Sequence, residues 1–86
     1  MDIREIRWDA EKNQLLKETR GIGFEEIILC REIGIIKNPN RPQQKFLLYE
    51  RENYVWVVPF VDTHEYRFLK TIFPSRKYTK IYLGGE

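Results

Sequence analysis

The alternation of apolar and polar positions divides the chain into two helices followed by three strands. Asp9 can cap a helix, because its carboxylate accepts from the first free backbone amides. Ala10–Arg20 is rich in helix formers. Glu11 near its start and Lys17 and Arg20 near its end suit the helix dipole, and Gly21 stands where a left-handed residue closes a helix. The apolar stripe is thin, mainly Leu15 and Leu16, so most of this helix is solvated. Ahead of it Ile3, Ile6 and Trp8 alternate loosely, as in a short edge strand or an extended arm. Phe24, Ile27, Ile28 and Arg31 recur at helical spacing, widened by Leu29 and Ile33. They predict a second, better buried helix from Phe24 to Ile33, capped weakly by Gly23 and ended by Gly34, with Glu25 and Glu26 in its first turn.

Ile35-Ile36 reads as a brief extended piece, and Lys37–Gln44, with two prolines and two asparagines, as a loop. Lys45–Glu50, Tyr54–Val61 and Tyr66–Phe73 are strand-like, joined by the polar, hairpin-length pieces Arg51–Asn53 and Asp62–Glu65. Tyr54–Val61 is apolar on both faces: Tyr54, Trp56, Val58 and Phe60 point one way, Val55, Val57 and Val61 the other. That pattern belongs to a central strand covered on both sides. The two helices can cover one face; the other needs the C-terminal segment or a partner chain. Pro59 cannot donate to a ladder, so a bulge or an early end to pairing is expected there. Pro74 should end the last strand for the same reason. The expected fold is one α+β domain over residues 1–86: two N-terminal helices on a small antiparallel sheet, a three- to four-stranded meander, with a short basic C-terminal segment.

A domain of 86 residues is marginally stable alone, so Trp56, Val58 and Phe60 should be largely buried. The lone Cys30 excludes an intramolecular disulfide and a multi-cysteine metal site. In an apolar helical pattern it reads as a buried inert thiol, with a reactive thiol as the alternative. No early apolar run follows a basic start, and no stretch approaches the ~20 apolar residues of a membrane span, so a cytoplasmic domain without a membrane partner is expected. The net charge is only +2, but it is unevenly spread. Residues 1–36 hold eight acids against six bases and residues 37–65 four of each, whereas residues 66–82 hold five bases and no acid.

That last stretch, YRFLKTIFPSRKYTKIY, interleaves Arg67, Lys70, Arg76, Lys77 and Lys80 with aromatic and β-branched residues. A corner of this kind attracts phosphate backbones and acidic proteins; a solvated basic tail is the plainer reading. No metal-ligand spacing, phosphate loop or Ser/His/Asp set is present, so neither metal nor cofactor is expected. His64, the only histidine, falls in a predicted turn, where it is either a surface residue or a general base. RNA can be cleaved without a metal: the 2′-hydroxyl attacks, while cations stabilise the phosphorane and side chains move protons. Lys70, Arg76, Lys77, Tyr78 and Lys80 suit such work in type.

Three segments in series resemble the BrnT toxins: IRWDAEKNQLLKETRGIGFEEI, YVWVVPFV and FLKTIFPSRKYTKIYL, in order over nearly the whole chain. The chain departs from them in Thr19-Arg20-Gly21, in Gly23 at the second helix cap, and in a short segment after that helix. The resemblance implies a RelE-like toxin of a bacterial type II toxin–antitoxin system. Such a toxin cleaves RNA, in some cases ribosome-associated mRNA, and is neutralised by a cognate antitoxin, as a homodimer or a toxin–antitoxin hetero-oligomer. By position Lys12 matches that family's helix-1 lysine, Lys70 its strand cation, and Arg76 and Lys77 the basic pair after its last strand. Together with the residues that suit by type, Lys70, Arg76, Lys77 and Tyr78 are the catalytic candidates, and Lys12, Arg67, Lys80 and Tyr82 the RNA-binding ones. The other reading is a non-catalytic module that binds nucleic acid or an acidic protein through the basic C-terminal edge.

Overall fold

The computed structural model describes residues 5–84. Its centre is the doubly apolar run, which forms strand β4 (Tyr54–Asp62). Strand β3 (Lys45–Arg51) pairs antiparallel along one side of it, and β2 (Arg31–Lys37) continues the sheet outwards. On the other side β5 (Tyr66–Leu69) and then the two-residue β6 (Phe73–Pro74) pair antiparallel with β4. Strand β1 (Glu5–Arg7) lies parallel to β5 at the edge, giving the order β1-β5-β4-β3-β2. Ile3 lies outside the described residues.

Helix α1 (Ala10–Thr19) begins as its sequence requires: Asp9 accepts from the amides of Glu11 and Lys12. Gly21 follows it with φ +74°, a conformation that side chains disfavour. The short helix α2 (Phe24–Ile27) is fixed to α1 through Asn13, whose Oδ1 accepts from the Phe24 amide and whose Nδ2 donates to Glu25. Both helices lie on one face of the sheet, where Leu16, Ile22, Phe24 and Ile27 pack with Leu47, Tyr49, Val58 and Phe60. The two-sided reading of β4 holds, since Val55 and Val57 turn to the opposite face with Phe46 and Leu48.

The C-terminal segment, one of the two covers expected, lies over that opposite face, and the short basic segment is a helix, α3 (Arg76–Leu83), packed on the sheet rather than a solvated tail. Ser75 caps it by accepting from the Tyr78 amide, and Tyr78 and Leu83 pack on the sheet. The sheet is also larger than a three- to four-stranded meander and is mixed, because β1 joins it in parallel. The second helix stops at Ile27. The residues expected to extend it instead turn at 28–30 and enter β2, with a register shift between Glu32 and Gly34. Ile35 and Ile36, extended as their sequence suggests, pair with Leu47 and Phe46 of β3. Pairing of Arg31 and Glu32 with the same strand outweighs the helical spacing up to Ile33, which lies at the shift. Cys30 therefore sits half-buried after a turn, not within a helix.

Pro59 marks a break in pairing, as its chemistry requires. Its carbonyl accepts from the Lys70 amide at 2.8 Å, on the β5 side, so its missing donor faces that side too. The partners are Phe60 with Leu69 and then Val57 with Phe73, a one-residue slip that leaves Lys70–Ile72 out of the ladder. The run Tyr66–Phe73 is thus two strands about a bulge. Pairing with β3 passes through Pro59 undisturbed. Val58 and Phe60 are buried, while Trp56 is only half-buried, with the Arg51 guanidinium 5.4 Å over its ring.

Candidate functional site

The bulge and the β2–β3 loop, residues 38–44, form the walls of an open cleft of about 470 Å³. The loop is built from its own polar groups. The Asn40 amide donates to Asn38 Oδ1 at 2.9 Å, the Gln44 amide to the Arg41 carbonyl at 3.0 Å, and Asn38 Nδ2 to Gln44 Oε1 at 3.4 Å. Pro39 and Pro42 fix their own φ and restrict the residue before each. Asn38, Asn40, Arg41 and Gln44 line one wall, Lys70 and Thr71 the other, and Phe46, Pro59 and Phe73 the apolar remainder.

Lys70 reaches this cleft because the break at Pro59 puts it outside the ladder; its ammonium lies 5.3 Å from the centre of the Phe68 ring. Among the described residues Arg41 and Lys70 are the charged members of the lining, and none of its members is a carboxylate. Phe46 links the cleft to α3: its ring meets Phe73 edge-on at 6.1 Å and Tyr78 at 6.2 Å, and Tyr78 in turn lies 6.2 Å from Tyr82. Arg76 and Lys77 are exposed on the first turn of α3, with the Lys77 ammonium 5.5 Å over the Tyr78 ring. Lys80 and Tyr82 are exposed further along the helix. Lys77, Tyr78 and Tyr82 are thus connected through an aromatic series to Phe46 and Phe73, which line the cleft with Lys70, and Arg76 and Lys80 stand on the same helix.

Lys12 and Arg67 belong to the other side of the sheet. Lys12 lies on α1, one turn before the buried Leu16. Arg67 pairs with Asp62 in the β4–β5 register, on the face of Phe60 and Leu69. It donates to that carboxylate at 2.8 and 3.2 Å and lies 4.3 Å over the Phe60 ring; the hydrogen bond to Asp62 raises its pKa further. His64 is exposed in the β4–β5 turn, beside a separate depression lined by Thr63, Glu65 and Tyr66. Among the described residues no group of three or more His, Cys, Asp or Glu could hold a metal ion, and no helix is long and apolar enough to cross a membrane.

The loop residues of the cleft were not among the sequence candidates, although a signal for them exists. No acid occurs between Glu32 and Glu50, whereas Lys37, Arg41 and Lys45 do. Counted over residues 37–65, those bases are cancelled by acids that belong to the two hairpin turns and their flanks. No protein-family profile, curated protein or solved structure matches the chain.

Proposed function

We propose that this chain is the toxin of a type II toxin–antitoxin system, a RelE-like, metal-independent endoribonuclease of the BrnT kind that acts in the cytoplasm. The observation that carries the reading is the aromatic connection from the cleft of Lys70 and Arg41 to the cationic first turn of α3. Cations track a phosphate backbone and aromatic rings accept unpaired bases, the combination that single-stranded nucleic acid requires.

In this reading the RNA's own 2′-oxygen attacks the adjacent phosphorus as it loses its proton. The bond from phosphorus to the 5′-oxygen breaks as that oxygen takes up a proton, leaving a cyclic phosphate and a 5′-hydroxyl. Arg76 gives the scissile phosphate a two-pronged donor, Lys70 and Lys77 add point charges as the phosphorane forms, and Tyr78 stacks on a base or relays a proton. Lys80 and Tyr82 extend the track along α3. Lys12 and the Asp62-bound Arg67 would contact RNA only if the strand wraps the sheet edge. A cognate antitoxin would lay acids over the exposed cations of α3 together with the exposed Ile81.

One observation favours the non-catalytic alternative: among the described residues the cleft lining has neither histidine nor carboxylate, so proton transfer in this reading falls to Tyr78 or to water. Induced expression separates the two readings. A ribonuclease toxin arrests growth, fragments total RNA with or without chelator, and is rescued by the product of the adjacent gene. A binding module leaves RNA intact.

A further inference from the structure

We infer that β2 is a dimer edge: two copies of this chain join their β2 strands antiparallel about a two-fold axis through Ile35, making one continuous sheet. The inference stands apart from the proposed RNA cleavage, because it uses neither the cleft nor α3.

β2 ends the order β1-β5-β4-β3-β2, and among the described residues no strand pairs with its outer side. A row of its backbone N–H and C=O groups is thus open to another strand along seven residues. Ile35 stands near its middle, 43% exposed. An edge of this kind adds a strand from another chain through main-chain hydrogen bonds, while the side chains decide which strand fits.

The register makes this edge complementary to itself. Ile33 is the extra residue of the shift, so Glu32, Gly34, Ile35, Ile36 and Lys37 stand opposite Tyr49, Leu48, Leu47, Phe46 and Lys45 in an unbroken row. Leu47 and Tyr49 belong to the helix-covered face, and Phe46 and Leu48 to the other. Glu32, Ile35 and Lys37 therefore share one face, and Gly34 and Ile36 share the opposite one. A two-fold axis at Ile35 sets Ile35 against its own copy, Gly34 against the partner subunit's Ile36, and Glu32 against the partner subunit's Lys37. Each pair lies on a common face. Without the shift Glu32 and Lys37, an odd number of residues apart, would fall on opposite faces.

Charge and space both fit this register. Neither Glu32 nor Lys37 forms a salt bridge among the described residues. Within its own chain Lys37 faces Lys45, and like charges so placed are destabilising. The partner subunit's Glu32 offsets that repulsion, and the symmetry makes the contact twice. A Cβ at Gly34 would meet no atom within 4 Å, and its φ is not positive, so neither packing nor backbone within the chain requires a glycine there. The partner subunit's Ile36 takes that space, and a glycine in a strand suits such close approach. Because the contact is the same patch on both copies, it closes at two.

The test is sedimentation equilibrium of the full chain as wild type, Glu32→Lys, Lys37→Glu and an equimolar mixture of the two variants. Wild type should be a dimer. Each single reversal sets two like-charge pairs across the axis and should raise the dimer dissociation constant roughly tenfold. The mixture should dimerise as tightly as wild type, since the all-basic edge of one variant meets the all-acidic edge of the other. Both positions are exposed, and a variant that failed to fold could not regain dimerisation on mixing. A bulged, charged edge that only guards against pairing predicts a monomeric wild type, which overturns the inference. An assembly larger than a dimer, a dimer weakened by neither reversal, or a mixture no tighter than its components overturns it equally.

Discussion

The Val55 amide donates to Thr79 Oγ1 at 2.8 Å, and the same hydroxyl donates to the Ser75 carbonyl at 2.7 Å. One buried threonine thus completes the backbone of β4 where β6 has ended and fixes α3 to the sheet. Ser75 supplies the matching contact, its amide donating to the Val55 carbonyl. In Thr79→Val the shape is kept but the Val55 N–H is orphaned in the core, at a cost of about 1–3 kcal/mol. Thr79→Ser should lose less, since the hydroxyl remains. Urea melts of the two variants check this; equal stability of Thr79→Val and wild type would remove the anchoring role.

Where local chemistry and tertiary pairing agreed, the fold was legible in the sequence. Asp9 and Gly21 bound α1, and Pro59 announces a break in pairing on one side of β4. The alternation in β4 also predicts which residues face which layer. Ile35-Ile36 was legible as extended, but residues 28–33 were not, because Ile28 and Ile33 satisfy helical spacing and β propensity together and only the sheet decides between them. Helix α3 was hidden by its charge: Arg76 and Lys77 occupy a first turn where acids are favoured, and its anchor, Thr79, bonds a strand 24 residues away in sequence. The loop wall of the candidate cleft was masked by nearby acids, which left the cations of α3 and the bulge as the readable part of the site.

Core truncations should rank by burial rather than by side-chain size. Phe60 is 1% exposed beneath α1 and α2, so Phe60→Ala should cost about 3–5 kcal/mol. Trp56 is half-buried under the Arg51 guanidinium, and Trp56→Ala should cost less than Phe60→Ala despite the larger ring. Thermal melts of the two variants settle the order.

Glu25 ties α2 to α1 and makes stability depend on pH. Its carboxylate is paired with the Lys17 ammonium and accepts from Asn13 Nδ2 at 2.8 Å; these contacts, Lys17 first, hold its pKa at about 2, down from 4.5. A carboxyl with a depressed folded-state pKa contributes stability above its unfolded value, and that contribution is lost as pH falls from about 4.5 through 2. Glu25→Gln should therefore be less stable than wild type at pH 7, and the gap should close as pH approaches 2. Added salt should narrow the gap at pH 7 as well, since the pair is exposed. A gap independent of both pH and salt would assign the difference to something other than this charge.

Arg76 allows function and stability to be pulled apart. It is exposed at the start of α3, where a positive charge opposes the helix dipole, and Ser75 already caps the helix. Alanine there is a better helix former and carries no charge. Arg76→Ala should therefore fold as well as wild type or gain a few tenths of a kcal/mol. If Arg76 binds the scissile phosphate as proposed, the same substitution removes a preorganised donor and should cut the cleavage rate by about 10²–10³-fold. Arg76→Lys keeps the charge but loses the two-pronged geometry, so it should rescue only part of that loss. Lys70→Ala should also slow cleavage, from the cleft wall that faces the β2–β3 loop. His64→Ala should have little effect, because His64 lies in the β4–β5 turn beside a different depression. Melting curves read beside RNA cleavage gels distinguish the outcomes. A basic turn that is only solvated surface predicts an Arg76→Ala protein that melts at or above the wild-type temperature and cuts RNA at the wild-type rate; that pair of results would end the assignment of Arg76 to the reaction.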